Sequence, residues 1–579
     1  MPPWPLEPAL GDALSLIRDW ESPAYTWLYQ YPLTIPPVKT PVMSITNPVT
    51  GLPIDYYEVY ISPYQQVVYP TKPPVNLVGY DGISPGPTFL IERGRETVVR
   101  FVNNATMANS VHLHGSYSRA PWDGWAEDVT APGEFKDYYY PNSQAARFLW
   151  YHDHAIDHTA ENAYFGQAGA YIIHDPAEDA LGLPSGYGTY DLPLVLSSKY
   201  YQNNGQLVSP AGETDSLYGD VIHVNGIPWP FHNVEPRKYR LRFLDAAVSR
   251  SFRLYFQRAT GATTKIPFQV IASDAGLLTN PVTTDNLWIS MGERYEVVFD
   301  FAPFAGQNIT LRNYDDVGKD DDYLHTNKVM RFVVGGTPVT DPSTVPTTLA
   351  VVDFPPPAGP TVDHHFQFDR SGGDWRINDV VFADVANRVL ANVPRGTVEL
   401  WELENGGGGW THPIHIHLVD FRVVSRSNDD GRTVLPYEAA GLKDVVWLAP
   451  NEIVKVEAHY APWDGVYMFH CHNLIHEDHE MMAAFNVTAL EDFGYPETAF
   501  RDPMEGRWRA EAVAPAKFTP TAITEKVQFM ANLQPYNNVD DVMDALDDYW
   551  TTHKKRDVPV AAPKTRRMRI EGSKIREVV

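Results

Sequence analysis

Three stretches of the chain share one pattern, a turn rich in Gly, Pro or Asn followed by a run in which apolar and polar side chains largely alternate. Pro85-Gly86-Pro87-Thr88-Phe89 leads through Arg93-Gly94 to Val98-Val99-Arg100-Phe101-Val102-Asn103-Asn104. Val224-Asn225-Gly226 leads to Tyr239-Arg240-Leu241-Arg242-Phe243-Leu244-Asp245. The third copy runs from Ile377-Asn378-Asp379 through Pro394-Arg395-Gly396 to Val398-Glu399-Leu400-Trp401-Glu402-Leu403-Glu404-Asn405. A period of two puts successive side chains on opposite faces of a strand, so each run predicts a half-buried β-strand. Their recurrence predicts repeated β units. No apolar run approaches the roughly 20 residues of a membrane-spanning helix.

Composition extends this picture. At 579 residues the chain exceeds what one core accommodates and predicts three or four domains. Its 44% hydrophobic content, with Pro 49, Gly 39 and Tyr 32, suits short strands and turns, an all-β protein. A net charge of −26 argues against nucleic-acid or anionic-membrane partners and for a soluble surface. From Lys554 to Val579 the balance turns basic, which predicts a flexible tail open to trimming. One cysteine excludes an intramolecular disulfide. The start, Met1-Pro2-Pro3-Trp4, lacks the basic and apolar regions of a signal peptide. Sequons at Asn104, Asn308 and Asn486 suit a secretory pathway, so a mature secreted form is expected.

The candidate chemistry is concentrated in ten of the 20 histidines and the single cysteine. They form four groups: His112-Leu113-His114, His152-Asp153-His154, His412-Pro413-Ile414-His415-Ile416-His417, and His470-Cys471-His472 with His476. Each His-x-His pair places two imidazoles on one face of an extended segment. Within the last group, Cys471 points away from His470 and His472, so sulfur and imidazoles can serve different metals a few bonds apart. Thiolate, imidazole and the thioether of Met481, ten residues after the cysteine, are the soft ligands of a blue-copper centre. The first and third repeats are followed by histidines; at the corresponding place the second reads Ala247-Val248-Ser249-Arg250-Ser251. The middle unit therefore carries no copper motif and is expected to act as spacer and wall, with the metal cluster between its neighbours.

Four strings carry a family resemblance over nearly the whole chain: His112-Leu113-His114-Gly115, Trp150-Tyr151-His152-Asp153-His154, Trp410-Thr411-His412-Pro413-Ile414-His415-Ile416-His417, and His470 to Phe485. With them the chain resembles the multicopper oxidases, and among these the fungal bilirubin oxidases. The resemblance implies three cupredoxin-like Greek-key β-sandwiches at 35–180, 181–345 and 346–500, after an N-terminal extension over 1–34 and before a C-terminal extension and basic tail over 501–579. It implies four copper ions: a type 1 copper on His412, Cys471, His476 and axial Met481; a type 2 copper on His112 and His415; and a type 3 pair on His114, His152 and His472 and on His154, His417 and His470. It further implies oxidation of a donor at the type 1 copper through His412 or His476, transfer through Cys471 to His470 and His472, and four-electron reduction of O2 to water.

Oxygen reduction also needs protons, and two carboxylates match family positions, Asp123 in Pro121-Trp122-Asp123-Gly124 and Glu477 after His476. Trp-Asp-Gly is equally an ordinary turn, and Glu477 lies among other acids. The glycines at 406–409 and Trp410 precede His412 and predict a flexible loop where a planar donor can approach and Trp410 can stack or relay an electron. The same glycines also suit a plain turn with Trp410 buried. The resemblance favours bilirubin or other aromatic electron donors, with a laccase-type phenol oxidase as the alternative and a non-catalytic copper-binding protein as a lesser one. Twelve methionines without a Met-rich run speak against a cuprous oxidase. A monomer is expected.

Overall fold

The first repeat strand, Glu96–Asn103, lies parallel to Pro53–Gln66 and antiparallel to Glu134–Tyr140 in a six-stranded sheet. A four-stranded sheet of Gly86–Glu92, Ala168–His174, Arg147–Asp153 and Val111–His114 faces it. Rings interlock across the gap, with Tyr57 on Phe89 at 5.0 Å and Phe101 on Tyr151 at 6.0 Å. The middle of the chain repeats the plan with a seven-stranded and a six-stranded sheet, between which Phe256 meets Phe299 at 4.2 Å. Two five-stranded sheets built from residues 364–488 form the third sandwich, locked by Phe366 against Phe469 at 4.6 Å. The fold is all-β, three cupredoxin-like sandwiches. The computed structural model describes residues 17–555 apart from 262, 316, 319, 408, 428–432, 496, 498 and 534–538, together with two strands at Arg567–Glu571 and Lys574–Val578.

Alternation along the first repeat predicts one polar face, yet every residue of Glu96–Asn103 is buried. The C-terminal extension covers that face. Arg100 forms a bidentate pair with Asp137 at 2.7 and 2.9 Å, donates to Lys517 O, and lies 4.9 Å from the Phe518 ring. A buried charge is tolerated when fully paired in this way. Glu511–Ala512 adds to the edge of the same sheet, and helices Pro520–Ala531 and Val539–Thr552 follow. Trp550 Nε1 donates to Arg395 O, so the extension ties the third sandwich to the first. One continuous apolar core runs through the first sandwich, the third and both helices; the middle sandwich has its own.

The N-terminal extension packs against the middle sandwich. The backbone amides of Glu21 and Ser22 donate to Asp220 Oδ2 at 2.8 and 2.7 Å, and Tyr25 lies against Trp229. Of the basic C-terminal segment, Lys555 pairs with Asp363 and Glu399, both at 2.7 Å, while residues 556–566, 572–573 and 579 lie outside those described. Among the described residues no helix is long and apolar enough to cross a membrane.

Candidate copper centres

His412 opens the strand His412–Ile416, and Cys471 closes the neighbouring strand Gly465–Cys471, with Ile414 opposite Cys471 in the antiparallel register. His476 comes from the short helix Leu474–Asp478, whose first turn is capped by the Asn473 side chain accepting from Ile475 N–H. These elements converge. Cys471 Sγ lies 3.4 Å from His412 Nδ1 and 3.7 Å from His476 Nδ1, and the two nitrogens are 3.2 Å apart. An ion bonded at roughly 2.0–2.3 Å to two nitrogens and a sulfur needs about these separations. Burial raises the Cys471 thiol above its ordinary range and lowers His412 to about 3. A buried thiolate therefore requires a cation, and the imidazoles present neutral nitrogens to it. Met481 is also buried, and its carbonyl accepts from Cys471 N–H at 3.1 Å while its own N–H donates to His476 O at 3.0 Å.

Aromatic rings enclose this triangle on the side away from the histidine cluster. Trp375 stacks on His476 at 3.8 Å, and half-buried Trp410 stands edge-on to both Trp375 and His476 at 5.7 Å. Arg370 lies 4.9 Å above Trp375, and its partly exposed guanidinium pairs with Asp215. His476 Nε2 donates to Asp215 O at 2.8 Å, so that loop both orients the ligand and anchors the arginine. Gly406, Gly407 and Gly409 are described in the loop before Trp410, whereas Gly408 lies outside the described residues. Asn405 Nδ2 holds the loop by donating to Trp410 O.

The other eight histidines meet between the first and third sandwiches. His112 Nε2 and His415 Nε2 lie 3.4 Å apart. His470 Nε2 lies 3.1 Å from His154 Nε2 and 3.2 Å from His417 Nε2, a second triangle. The rings of His114, His152 and His472 pack at 5.1–5.7 Å, and His114 Nδ1, His152 Nε2 and His472 Nε2 are buried without a hydrogen-bond partner. Orphaned buried nitrogens of this kind are costly unless an ion takes their lone pairs. Ligand atoms converge within 4.8 Å for His154, His417 and His470, for His112, His415 and His417, and for His112, His114 and His152, so the donor set fits metal there, with the His472 ring packed beside His114 and His152.

Carboxylates hold the outer nitrogens. Asp123 Oδ2 accepts from His417 Nδ1 at 2.8 Å, while the Asp123 carbonyl accepts from His112 Nδ1 at 2.5 Å. Glu477 sits 3.0 Å from His470 Nδ1 and 3.4 Å from His154 Nδ1. Burial pushes Asp123 well above the carboxylate range, against the pull of Lys136; Glu477 is equally buried, but His470 and His154 outweigh that burial and hold it near 2. The turn carrying Asp123 is clamped by Trp122 packed on Phe500 and Trp508 of the C-terminal region.

Sequence reasoning missed a third group. Asp444 Oδ1 accepts from His114 Nε2 at 3.0 Å and its carbonyl accepts from His415 Nδ1 at 2.8 Å. Arg294, from the middle sandwich, grips Asp444 with two bonds of 2.5 and 2.6 Å and donates to Phe148 O on the strand carrying His152. Gly292 has φ +83°, and a Cβ there would come within 2.7 Å of the His472 ring. The middle sandwich is therefore more than the expected spacer and wall: it supplies no imidazole, but it braces the cluster. Neither residue belongs to a motif, and only a buried-charge pattern in folded coordinates reveals them.

Comparison with known proteins agrees with this chemistry. Residues 63–178 and 354–491 match family models described as multicopper oxidase. The chain is 61% identical over 533 residues to the bilirubin oxidase of Albifimbria verrucaria, covering 90% of this chain and 93% of that one. It is 32% identical to the laccase of Bacillus subtilis, covering 75% and 94%. Among solved structures, the McoA multicopper oxidase 2F4 variant of Aquifex aeolicus superposes with a TM-score of 0.71 at 27% identity, covering 79% of this chain and 100% of that one. The chain belongs to the multicopper oxidase family, enzymes with one type 1, one type 2 and two type 3 coppers that couple one-electron oxidation of a donor to reduction of O2 to water.

Proposed function

We propose that this oxidase acts on bilirubin and related tetrapyrrole or aromatic donors at the mononuclear site. The observation that carries the reading is the stack of Arg370 on Trp375 on His476, with Trp410 beside it. A planar donor bearing carboxylates finds there the half-buried ring of Trp410 for its own rings and, in exchange for Asp215, the partly exposed Arg370 guanidinium for its anionic arms. A neutral phenol would use only the first. The similarity to a bilirubin oxidase over most of both chains supports the same choice.

We assign the type 1 copper to His412, Cys471, His476 and Met481, the type 2 copper to His112 and His415, and the type 3 pair to His114, His152 and His472 and to His154, His417 and His470. Bound there, copper supplies the one-electron redox chemistry and the four-electron store that reduction of oxygen to water demands. The chain supplies the rest. Cys471 joins the two places covalently, since its neighbours His470 and His472 belong to the cluster. Trp375, itself buried, shields His476 from water, and half-buried Trp410 receives the donor. Asp123, whose hold on a proton burial strengthens, serves as proton donor while orienting His417, and Glu477 orients His470 and His154. Protein-held carboxylates near a water-poor cluster spare it from relying on bulk proton supply.

Domain limits at 35–180, 181–345 and 346–500 are part of this proposal, as are secretion and a monomeric state. Asn104 and Asn308 are exposed, as glycan acceptors must be. Oxygen uptake with bilirubin and with 2,6-dimethoxyphenol tests the donor assignment. Arg370→Gln should raise KM for bilirubin about tenfold, the worth of one charge-assisted hydrogen bond, and leave the phenol unaffected. Equal effects on both donors would favour a laccase-type phenol oxidase.

A further inference from the structure

Between the first and middle sandwiches, lined by none of the histidines grouped above, lies a small cavity of about 40 Å³. It is large enough for a few waters or a small ion. Its polar lining includes Lys199, Ser197, Ser84, Tyr64, Tyr201 and His223. No Asp or Glu lines it, although the chain has 72 of them.

Lys199 is the unusual member. Among the described residues it has no carboxylate partner; its Nζ donates to Tyr164 O and lies 4.5 Å over the Tyr164 ring. An ammonium has three donors, so this leaves two to fill. Part of its surface remains exposed, yet enclosure by protein pushes the amine down to about 7. The neighbouring imidazole gives no counter-charge. His223 donates from Nδ1 to Gly226 O at 3.2 Å and accepts from the Tyr201 hydroxyl at 3.0 Å, and burial keeps it neutral. The Tyr64 hydroxyl is buried against the side chain of Ser84, which also lines the cavity. The cavity thus collects one amine without a carboxylate partner together with hydroxyl groups, and no anion from the protein.

We propose that this cavity is a binding site for a small monoanion, a halide or a carboxylate of formate size, held by Lys199 with Ser197 and Tyr64 at the seam between the first and middle sandwiches. The anion supplies Lys199 with the partner the chain leaves out, and by binding only the folded seam it stabilises the folded state. Larger anions do not fit the volume.

Two measurements on the copper-loaded full chain test this. Crystals soaked in sodium bromide should show an anomalous peak within hydrogen-bonding reach of Lys199 Nζ. Thermal unfolding in rising sodium formate at fixed ionic strength should show a climbing midpoint, since a hundredfold excess over Kd shifts the folding equilibrium about a hundredfold. In Lys199→Met the formate dependence should vanish while copper content and blue absorbance stay unchanged. Bromide alone would identify a halide site, and formate alone a carboxylate site; either supports the proposal. A cavity holding only water in the bromide crystals together with a flat formate response, or a formate response undiminished in Lys199→Met, would overturn it.

Discussion

The mononuclear site and the histidine cluster are built on opposite principles. All of the first site's proposed ligands come from one sandwich, within residues 412–481, and its near surroundings are indole rings leading to a surface arginine. The cluster draws four imidazoles from each of two sandwiches, and Asp123, Glu477 and Asp444 grip imidazoles around it, with Arg294 from the middle sandwich behind them. The contrast teaches what each half-reaction requires. A donor surrendering single electrons needs contact with a polarisable face. Reduction of oxygen needs protons at hand and metals held at set spacings, which several elements jointly over-determine.

The largest effect should come from cutting the link. Cys471→Ser should abolish both the blue absorption and donor oxidation while the cluster still loads copper, read by copper stoichiometry; retained blue colour would remove Cys471 from the site. Next is the brace. Arg294→Met strands the Asp444 charge in the interior, where loss of one partner of a buried pair costs ~3–5 kcal/mol. It should lower the thermal midpoint and the type 2 signal and leave the blue band intact, with Arg294→Lys partly restoring both. A third change separates proton supply from electron supply: Asp123→Asn should keep copper and donor oxidation but slow reoxidation of the reduced enzyme by oxygen about 10²–10⁴-fold, the usual worth of a positioned acid. Reoxidation at the wild-type rate would reduce Asp123 to a turn residue. The smallest effect concerns the potential of the electron-receiving site. Met481→Leu should raise the type 1 midpoint in a redox titration, since an axial thioether tunes that centre; an unchanged midpoint would leave Met481 as core packing.

The sequence made the two regions unequally legible. His-x-His strings and a lone cysteine are local patterns, so the places of His112, His154, His415 and Cys471 could be read by spacing alone. Arg294, Gly292, Asp444 and Trp375 could not, because each acts through partners more than a hundred residues away or through a backbone angle. Arg100 shows the same limit in the fold: its strand alternates as a half-exposed strand should, but a segment some 400 residues later covers the polar face. Periodicity reports what a strand can bury, and only the folded chain decides what arrives to bury it. The middle repeat, without a His-x-His pair, was legible as copper-free but silent about its arginine.

The separateness of the two regions is the central claim, and electron paramagnetic resonance of Cys471→Ser and Arg294→Met, each reconstituted with copper, tests it most directly. Reciprocal spectra are expected: Cys471→Ser without the type 1 signal and with an unaltered type 2 signal, Arg294→Met with the type 1 signal and a weakened or shifted type 2 signal. Loss of both signals in either variant would show that the two centres are one cooperative unit and contradict the account.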